Sequence, residues 1–325
     1  MSGHVFVTGA SGRLGLALIR ALILIGERPT GLARTQSGAQ KVRELGADCL
    51  VGDLTDHRVL ARGAEGARTI YHLAGGLRGK GAESAEQLNH HGTNALVAAI
   101  NVHSHLESLV FTSTAAVYGD RSGLWVSEQM PPLPNTDYGR SKLNAERSLL
   151  ASGLPVKIVR LASVYGPNFP FLMKEEIANG TARMPGEGGN FIPTIHVDDA
   201  ALGLIHIGQH GQPSEIYHLS DTTPALLRDF YGGVHQHVGG KPVHFWSTWV
   251  PSYAQRFVAK TNEKFHSRMN RMPHFTPDKL RLFTNSVRLS TARLGTELKF
   301  SWKYPSFQLG LWATFDSMRE SNPQG

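Results

Sequence analysis

A doubly wound, parallel α/β sheet carrying a smaller C-terminal region over its strand ends is the fold class that this sequence predicts, and three observations predict it. Apolar β-type runs alternate with helical patterns through the first half of the chain. A glycine-rich turn joins the first of these runs directly to the first helix. After Gly166 the alternation gives way to short pieces divided by Gly/Pro punctuation such as Met184-Pro185-Gly186-Glu187-Gly188-Gly189. Strands separated by helices make a parallel sheet, and right-handed crossovers bring the carboxyl ends of the strands to one edge, where ligands bind.

The elements follow in order. His4-Val5-Phe6-Val7 is the first strand, and the apolar spacing from Leu14 to Ile25 predicts a helix. Further strands are predicted at Pro29 to Ala33, Cys49 to Val51, Thr69 to His72, Leu109 to Thr112 and Val156 to Leu161. In the second half, Phe171 to Asn179, Asp198 to Gly208, Leu226 to Val238 and Trp246 to Phe257 read as short helical or apolar pieces. No solenoid-type repeat interrupts this order.

Composition narrows the class. With 325 residues, 41% hydrophobic and 18% charged, the chain is too apolar to be disordered and long enough for one large domain, alone or with a small companion. Its 35 glycines and 17 prolines are scattered without a collagen period. The single cysteine, Cys49, excludes an internal disulfide or a cysteine metal cage, fits a small core position, and suggests a reducing, cytoplasmic setting. The apolar run Ala21 to Ile25 sits between Arg20 and Glu27 and is far short of the roughly 20 residues a membrane span needs. The net charge of +7 is concentrated between Lys241 and Lys303, which holds 12 Lys or Arg against 3 Asp or Glu. The basicity therefore describes one surface, and nucleic-acid binding is not expected.

Thr8-Gly9-Ala10-Ser11-Gly12-Arg13-Leu14-Gly15 follows the first strand and opens the first helix. Gly9 permits a tight turn, Gly12 lets the backbone approach a pyrophosphate, and Gly15 lets helix and strand pack closely. The helix N-terminus then favours the negative charge. The second strand ends at Ala33-Arg34. An acid there would suit the ribose hydroxyl of NAD, whereas Arg34, with Arg13 as a second partner, suits the 2′-phosphate of NADP. NADP(H) is the expected cofactor, with NAD(H) as the alternative. Asp53, just past the third strand, suits an adenine amino group or a helix cap, a role Asp56 fills equally well.

Tyr138 and Lys142 stand four apart at the start of an amphipathic helix and so share a face. An ammonium beside a phenol favours the phenolate, which predicts a lowered Tyr138 pKa and a general acid/base. The pairs His235-x-His237 and His103-x-His105 lack an evident third ligand, and no metal is expected.

At this point the chain resembles the extended short-chain dehydrogenase/reductases. The resemblance rests on Thr8-Gly9-x-x-Gly12-x-x-Gly15, Asp53-Leu54, His72-Leu73-Ala74-Gly75, Asn89-x-x-Gly92-Thr93, Phe111-Thr112-Ser113-Thr114-Ala115-Ala116-Val117-Tyr118-Gly119, Tyr138-x-x-x-Lys142, Arg160-Leu161-x-x-x-Tyr165-Gly166-Pro167 and His196-Val197-Asp198-Asp199-Ala200. It implies a Rossmann-type nucleotide-binding domain over 1–165, with 192–220 returning to it, and a substrate-binding region formed by 166–191 and 221–325. It also implies catalytic roles for Thr114 (with Ser113 as a second candidate), Tyr138 and Lys142. Cofactor contacts are implied at Gly9, Ser11, Gly12, Arg13, Leu14, Gly15, Arg34, Asp53, Leu54, Leu73, Ala74, Gly75, Asn89, Thr112 and Val164, as well as at Tyr138 and Lys142. Family members often form homodimers through the helices near Asn89 to Ile100 and Asn135 to Leu150.

Fold does not choose among the activities of such a family. The dehydratases and decarboxylases carry a carboxylate beside the Ser/Thr, where this chain has Ala115 and Ala116. Epimerases usually bring an Arg just before the segment matching Ile195 to Asp199, where this chain has Asn190-Phe191-Ile192-Pro193-Thr194. Phe245, Trp246, Trp249, Val250, Tyr253 and Phe257 recur near helical spacing. Together with Met272 to Thr276 and Ser290 to Gly295 they resemble the 3β-hydroxysteroid dehydrogenase and dihydroflavonol reductase branch. An apolar, bulky small-molecule substrate is the expectation. Arg256, Lys260, Lys264, Arg268 and Arg271 add a basic face that could meet a membrane surface or steer an anionic substrate. The expected reaction interconverts a secondary alcohol and a ketone or aldehyde. The alternatives are an NAD-dependent sugar-nucleotide epimerase and a non-catalytic dinucleotide sensor.

Overall fold

The computed structural model describes residues 4–77, 84–100, 105–167, 169–246 and 277–320. Its main body is a seven-stranded, wholly parallel sheet. The strands are β1 (His4–Thr8), β2 (Arg28–Ala33), β3 (Asp48–Val51), β4 (Ala67–His72), β5 (Ser108–Thr114), β7 (Val156–Leu161) and β12 (Glu215–Leu219), in the spatial order β3-β2-β1-β4-β5-β7-β12. The order runs outward in both directions from β1 and β4, so the topological switch point lies between those two strands.

Alternation along each strand divides the core into two layers. Val5, Val7, Val110 and Val159 face one side, with α1 (Arg13–Leu24), α2 (Gln36–Arg43) and α7 (Val197–His210) packed on them. Phe6, Leu109, Phe111 and Ile158 face the other, under α3 (His57–Ala64), α4 (Gly92–Ala99) and α5 (Asp137–Leu150). Both faces are covered, as an all-parallel sheet requires. Cys49 is buried in the first of these layers.

The remaining short strands build the second region. β6 (Trp125–Val126) pairs with Arg288–Leu289, β8 (Ser163–Tyr165) with β11 (Thr194–His196), β9 (Arg183–Pro185) with His244–Trp246, and β10 (Phe191–Ile192) with β13 (Ala225–Leu226). Around them, α8 (Leu227–Val238) and the C-terminal helix Phe307–Glu320 share a third core of Phe230, Tyr231, Val234, Phe307, Leu311 and Phe315.

Two readings of the sequence need correction. β12 was not predicted, because Glu215 and His218 interrupt its apolar pattern; His218 is nonetheless buried, with its ring nitrogens satisfied by Tyr118 and Ser290. The single piece predicted at Phe171 to Asn179 divides into a turn at Pro170–Leu172 and α6 (Lys174–Ala178), because Met173 takes the left-handed conformation at φ 48°. Most of the predicted Trp246 to Phe257 piece, the basic residues Arg256 to Arg271, Met272 to Thr276, and His103 lie outside the described residues. Among the described residues, no helix is long and apolar enough to cross a membrane.

Candidate active site

The loop after β1 is built as its glycines predict. Gly9 has φ +70°, and a Cβ there would lie 2.8 Å from the Ala74 nitrogen and 2.9 Å from the Leu73 carbonyl carbon, so the β1 and β4 exits touch backbone to backbone. A Cβ on Gly15 would fall 2.2 Å from the Gly9 oxygen, which forces the close helix approach. Gly12 differs. A Cβ there would meet only the Gly9 oxygen, at 3.2 Å, so the face of Gly12 is open. Gly12 is also the N-cap of α1, offers no side-chain cap, and is followed by no acidic residue in the first turn. An open, uncapped helix N-terminus at the switch point suits a pyrophosphate, and Ser11, Arg13 and Leu14 flank it.

Arg34 is exposed directly after the last residue of β2. Next to it, Thr35 caps α2 by accepting the Gly38 N–H at 3.1 Å and lies 3.2 Å from Ser37 Oγ. A Cβ on Gly38 would lie 3.0 Å from the Ser11 side chain, so the start of α2 sits against the glycine-rich loop. Motif reading did not single out Thr35, Ser37 or Gly38; the run of small residues after Arg34 was the available signal. Arg13 carries its guanidinium 5.9 Å from the centre of the Phe169 ring, a neighbour that sequence spacing did not reveal. Asp53 accepts from the N–H and hydroxyl of Thr55 at 3.1 and 3.2 Å, while Asp56 caps α3, so the capping role goes to Asp56. Leu54 is buried beneath Gly92.

At the β4 exit, His72 is fully buried between Thr8 Oγ1 at 2.6 Å and Thr93 Oγ1 at 2.9 Å. Burial, aided by nearby Lys142, holds its pKa down at about 3, so it stays neutral and ties β1, β4 and α4 together. Thr112 donates to the His72 carbonyl at 3.2 Å, a bond internal to the sheet. Asn89 accepts from the Gly76 N–H and donates to the Gly76 carbonyl and to Ser141 Oγ, all at 2.9 Å. Its amide thus shapes the Leu73-Ala74-Gly75-Gly76 loop and fastens it to α5. Val164 pairs with Ile195 across β8 and β11.

Thr114 ends β5, accepts the Ala116 N–H at 3.2 Å, and lies beside the Tyr138 phenol. Lys142, one turn along α5, is 3% exposed, and its Nζ stands 4.2 Å from the centre of the Phe111 ring. A Cβ on Gly75 would lie 3.2 Å from that Nζ, so the lysine faces the loop after β4. The Tyr138 pKa is raised, not depressed as its spacing from Lys142 predicts. Burial pushes the phenol above its ordinary value, and the neighbouring Thr114 hydroxyl opposes this only in part. Lys142 gives little help because burial pulls its own pKa down to about 7, against the attraction of Glu146. Ser113 is also corrected: it turns to the other side of β5 and hydrogen-bonds Glu146 in the interior, away from Thr114 and Tyr138.

A set of contacts from the C-terminal region completes the site. Asp278, on the helix Pro277–Thr284, accepts from the Asp137 and Tyr138 N–H groups at 2.9 and 3.4 Å, while Thr136 caps the same turn through Gly139. Arg281 donates to the Asn135 carbonyl, and the Asn135 and Asn285 amides pair at 3.0 Å in both directions. The first turn of α5, which carries Tyr138, is therefore held from outside the sheet. His237 stacks on Phe315 at 4.9 Å, and His235 approaches the Gly240 carbonyl at 3.4 Å.

A glycine loop at the switch point, with Thr, Tyr and Lys on the adjacent strand and helix, defines a dinucleotide-dependent enzyme of the extended short-chain dehydrogenase/reductase type. The chain belongs to the NAD dependent epimerase/dehydratase family, whose sequence model matches residues 5–220. It is 29% identical to 4-hydroxy-2-methyl-3-oxo-4-farnesyl-3,4-dihydroquinoline-1-oxide ketoreductase of Stigmatella aurantiaca, over 99% of this chain and 97% of that protein. It is 31% identical to ceramide reductase of Caulobacter vibrioides, over 62% of this chain and 60% of that protein. The dTDP-glucose 4,6-dehydratase DesIV from Streptomyces venezuelae, solved with NAD and TYD bound, shares the fold with a TM-score of 0.76 at 22% identity, covering 98% of both chains.

Proposed function

We propose that this enzyme is an NADP(H)-dependent oxidoreductase that interconverts a ketone or aldehyde and the corresponding alcohol on a bulky, largely apolar substrate. The observation that carries the reading is the placing of Thr114 at the end of β5 beside Tyr138 and Lys142 of α5, with Ala115 and Ala116 where a dehydratase would need an acid. The phenol, shifted up and not down by its surroundings, is in the protonated form required to give a proton to a substrate oxygen as the carbonyl is reduced. The Thr114 hydroxyl orients that oxygen. Lys142, facing Gly75 and the β4 exit, is placed to hold the nicotinamide ribose. The open face of Gly12 and the uncapped α1 N-terminus fit the pyrophosphate. When bound, the nicotinamide supplies or accepts the hydride; in the reducing direction the carbonyl carbon gains the hydride and its oxygen takes the Tyr138 proton.

Arg34 supports NADP. It stands exposed at the tip of β2, and Arg34-Thr35-Gln36-Ser37-Gly38 contains no carboxylate to meet a free ribose hydroxyl. The names of the full-length and partial relatives, a farnesyl-bearing quinoline ketone and ceramide, support a large apolar substrate.

Fluorescence titration with NADPH and NADH, with mass spectrometry of any nucleotide that copurifies, tests the cofactor. Exchangeable NADPH should be preferred, and Arg34→Ala should weaken it by roughly 10- to 100-fold, the worth of a charge-assisted phosphate contact. Tightly retained NAD without net redox turnover would replace this reading with the epimerase. Tyr138→Phe should lower turnover by about 10²- to 10⁴-fold with nucleotide affinity intact; full function in that variant would leave a dinucleotide sensor.

A further inference from the structure

We propose that Glu86, His90 and His91 form a binding site for a divalent transition metal of the zinc, nickel or copper class, separate from the nucleotide and substrate positions. One potential ligand atom from each of the three lies within 4.8 Å of the others. Local helix geometry makes this possible. In a regular α-helix, residues five apart are rotated by about 140°, which would carry His91 away from Glu86. Here Gln87–His91 is a π-turn leading into α4, and its i to i+5 repeat swings His91 back beside the Glu86–His90 pair.

The surroundings are those of a supported ligand set. His90 Nδ1 lies 2.6 Å from Glu86 Oε1, while His90 Nε2 is 3.0 Å from Ser148 Oγ and 3.2 Å from the Asn94 amide. Glu86 Oε1 also accepts from Asn144 Nδ2 at 3.2 Å. Ser148 and Asn144 come from α5, so a neighbouring helix orients two of the three ligands, as outer partners do in metal sites. A metal would replace the proton between His90 Nδ1 and Glu86. The neutral imidazole would then carry its proton on Nε2, where Ser148 Oγ changes from donor to acceptor and the Asn94 amide turns its oxygen toward the ring in place of its nitrogen. His91 is exposed on the single chain. Two imidazoles and one carboxylate suit a borderline cation and leave a coordination position for water; magnesium and calcium prefer all-oxygen sets.

The π-turn also carries Asn89, whose amide holds Gly76 and Ser141. A metal at Glu86, His90 and His91 would stiffen the segment that shapes the loop after β4.

Calorimetric titration of the untagged, full-length protein with zinc chloride, and separately with magnesium chloride, tests the site. One zinc per chain, no uptake of magnesium, and zinc affinity at least about tenfold weaker in His91→Ala and in Ser148→Ala are expected. Copper(II) electron paramagnetic resonance should show coupling to two imidazole nitrogens in the wild type and one in His91→Ala. His91 is exposed, so this variant should keep its fold, and an unchanged melting temperature without metal would verify that. No stoichiometric zinc, or wild-type zinc binding and copper spectra in His91→Ala, would overturn the proposal.

Discussion

Thr114 and Ser113 are neighbours on β5, yet they open onto opposite kinds of polar environment. Thr114 faces Tyr138 at the strand end, where a burial-raised phenol and a lysine held near neutrality are only partly compensated. Ser113 faces a closed interior network. There, Arg160 grips both oxygens of Glu146 at 3.1 and 2.8 Å and donates to the Tyr118 hydroxyl at 2.7 Å. Tyr118 in turn meets His218 Nε2 at 2.6 Å, and His218 Nδ1 donates to the Ser290 carbonyl at 3.0 Å. Burial holds the His218 pKa down at about 3, so it is the neutral, Nδ1-protonated link in that chain. Both clusters hang on one face of the same helix, Tyr138 and Lys142 in its first turns and Glu146 a turn further along. The saturated side fixes α5, β5 and β7, and the under-compensated side is left free to act on a ligand.

The largest way to break this contrast is on the saturated side. Glu146 and Arg160 are 2% and 3% exposed at their side chains, so Glu146→Ala strands a buried guanidinium and should cost about 3–5 kcal/mol of stability. Denaturant unfolding measures this. A loss under 1 kcal/mol would mean that water or a rearranged Tyr118 replaces the pair, and the division between a rigid and a reactive side would fall.

A second, pH-dependent test lies on the reactive side. Unfolded, Lys142 stays charged up to its ordinary value of 10.5; folded, it is charged only below about 7. Between these values the unfolded chain binds the extra proton, so the destabilisation from Lys142 is full below about 7 and relaxes as pH rises toward 10.5. Lys142→Met should therefore melt higher than the wild type at about pH 6, by a margin that shrinks toward about pH 10. Melting curves without added nucleotide across that range check it, and a margin independent of pH would show that the lysine is not penalised by burial.

The sequence made one side of this comparison far more legible than the other. Gly9, Gly12 and Gly15 are readable because backbone approach at a strand–helix turn tolerates little else, and the strands are readable because a doubly covered sheet demands long apolar runs such as Leu109 to Phe111. Thr114 and Tyr138 could be found by motif. Ser113 could not be assigned a direction by motif alone, since adjacent strand residues point to opposite faces and only the fold decides which face holds the site. β12 escaped because its polar His218 is satisfied by groups about 70 to 100 residues away in sequence. The electrostatic balance at Tyr138 escaped for the same reason: spacing puts Lys142 on the right face, but burial determines how much charge it carries.

Asp278 gives the smallest and most specific test, because it joins the reactive side to the C-terminal region. Its carboxylate accepts from the Asp137 and Tyr138 N–H groups, an added cap worth about 0.5–2 kcal/mol. If that cap sets the Tyr138 position, Asp278→Ala should reduce turnover by roughly 2- to 30-fold while leaving nucleotide affinity unchanged. Asp278→Asn keeps an acceptor oxygen and should recover most of the loss. Equal loss of nucleotide affinity in both variants would show a general loosening of the region. Unchanged turnover in Asp278→Ala would show that Thr136 alone holds the first turn of α5, and the reactive side would then owe its geometry to the sheet rather than to the helix that clasps it.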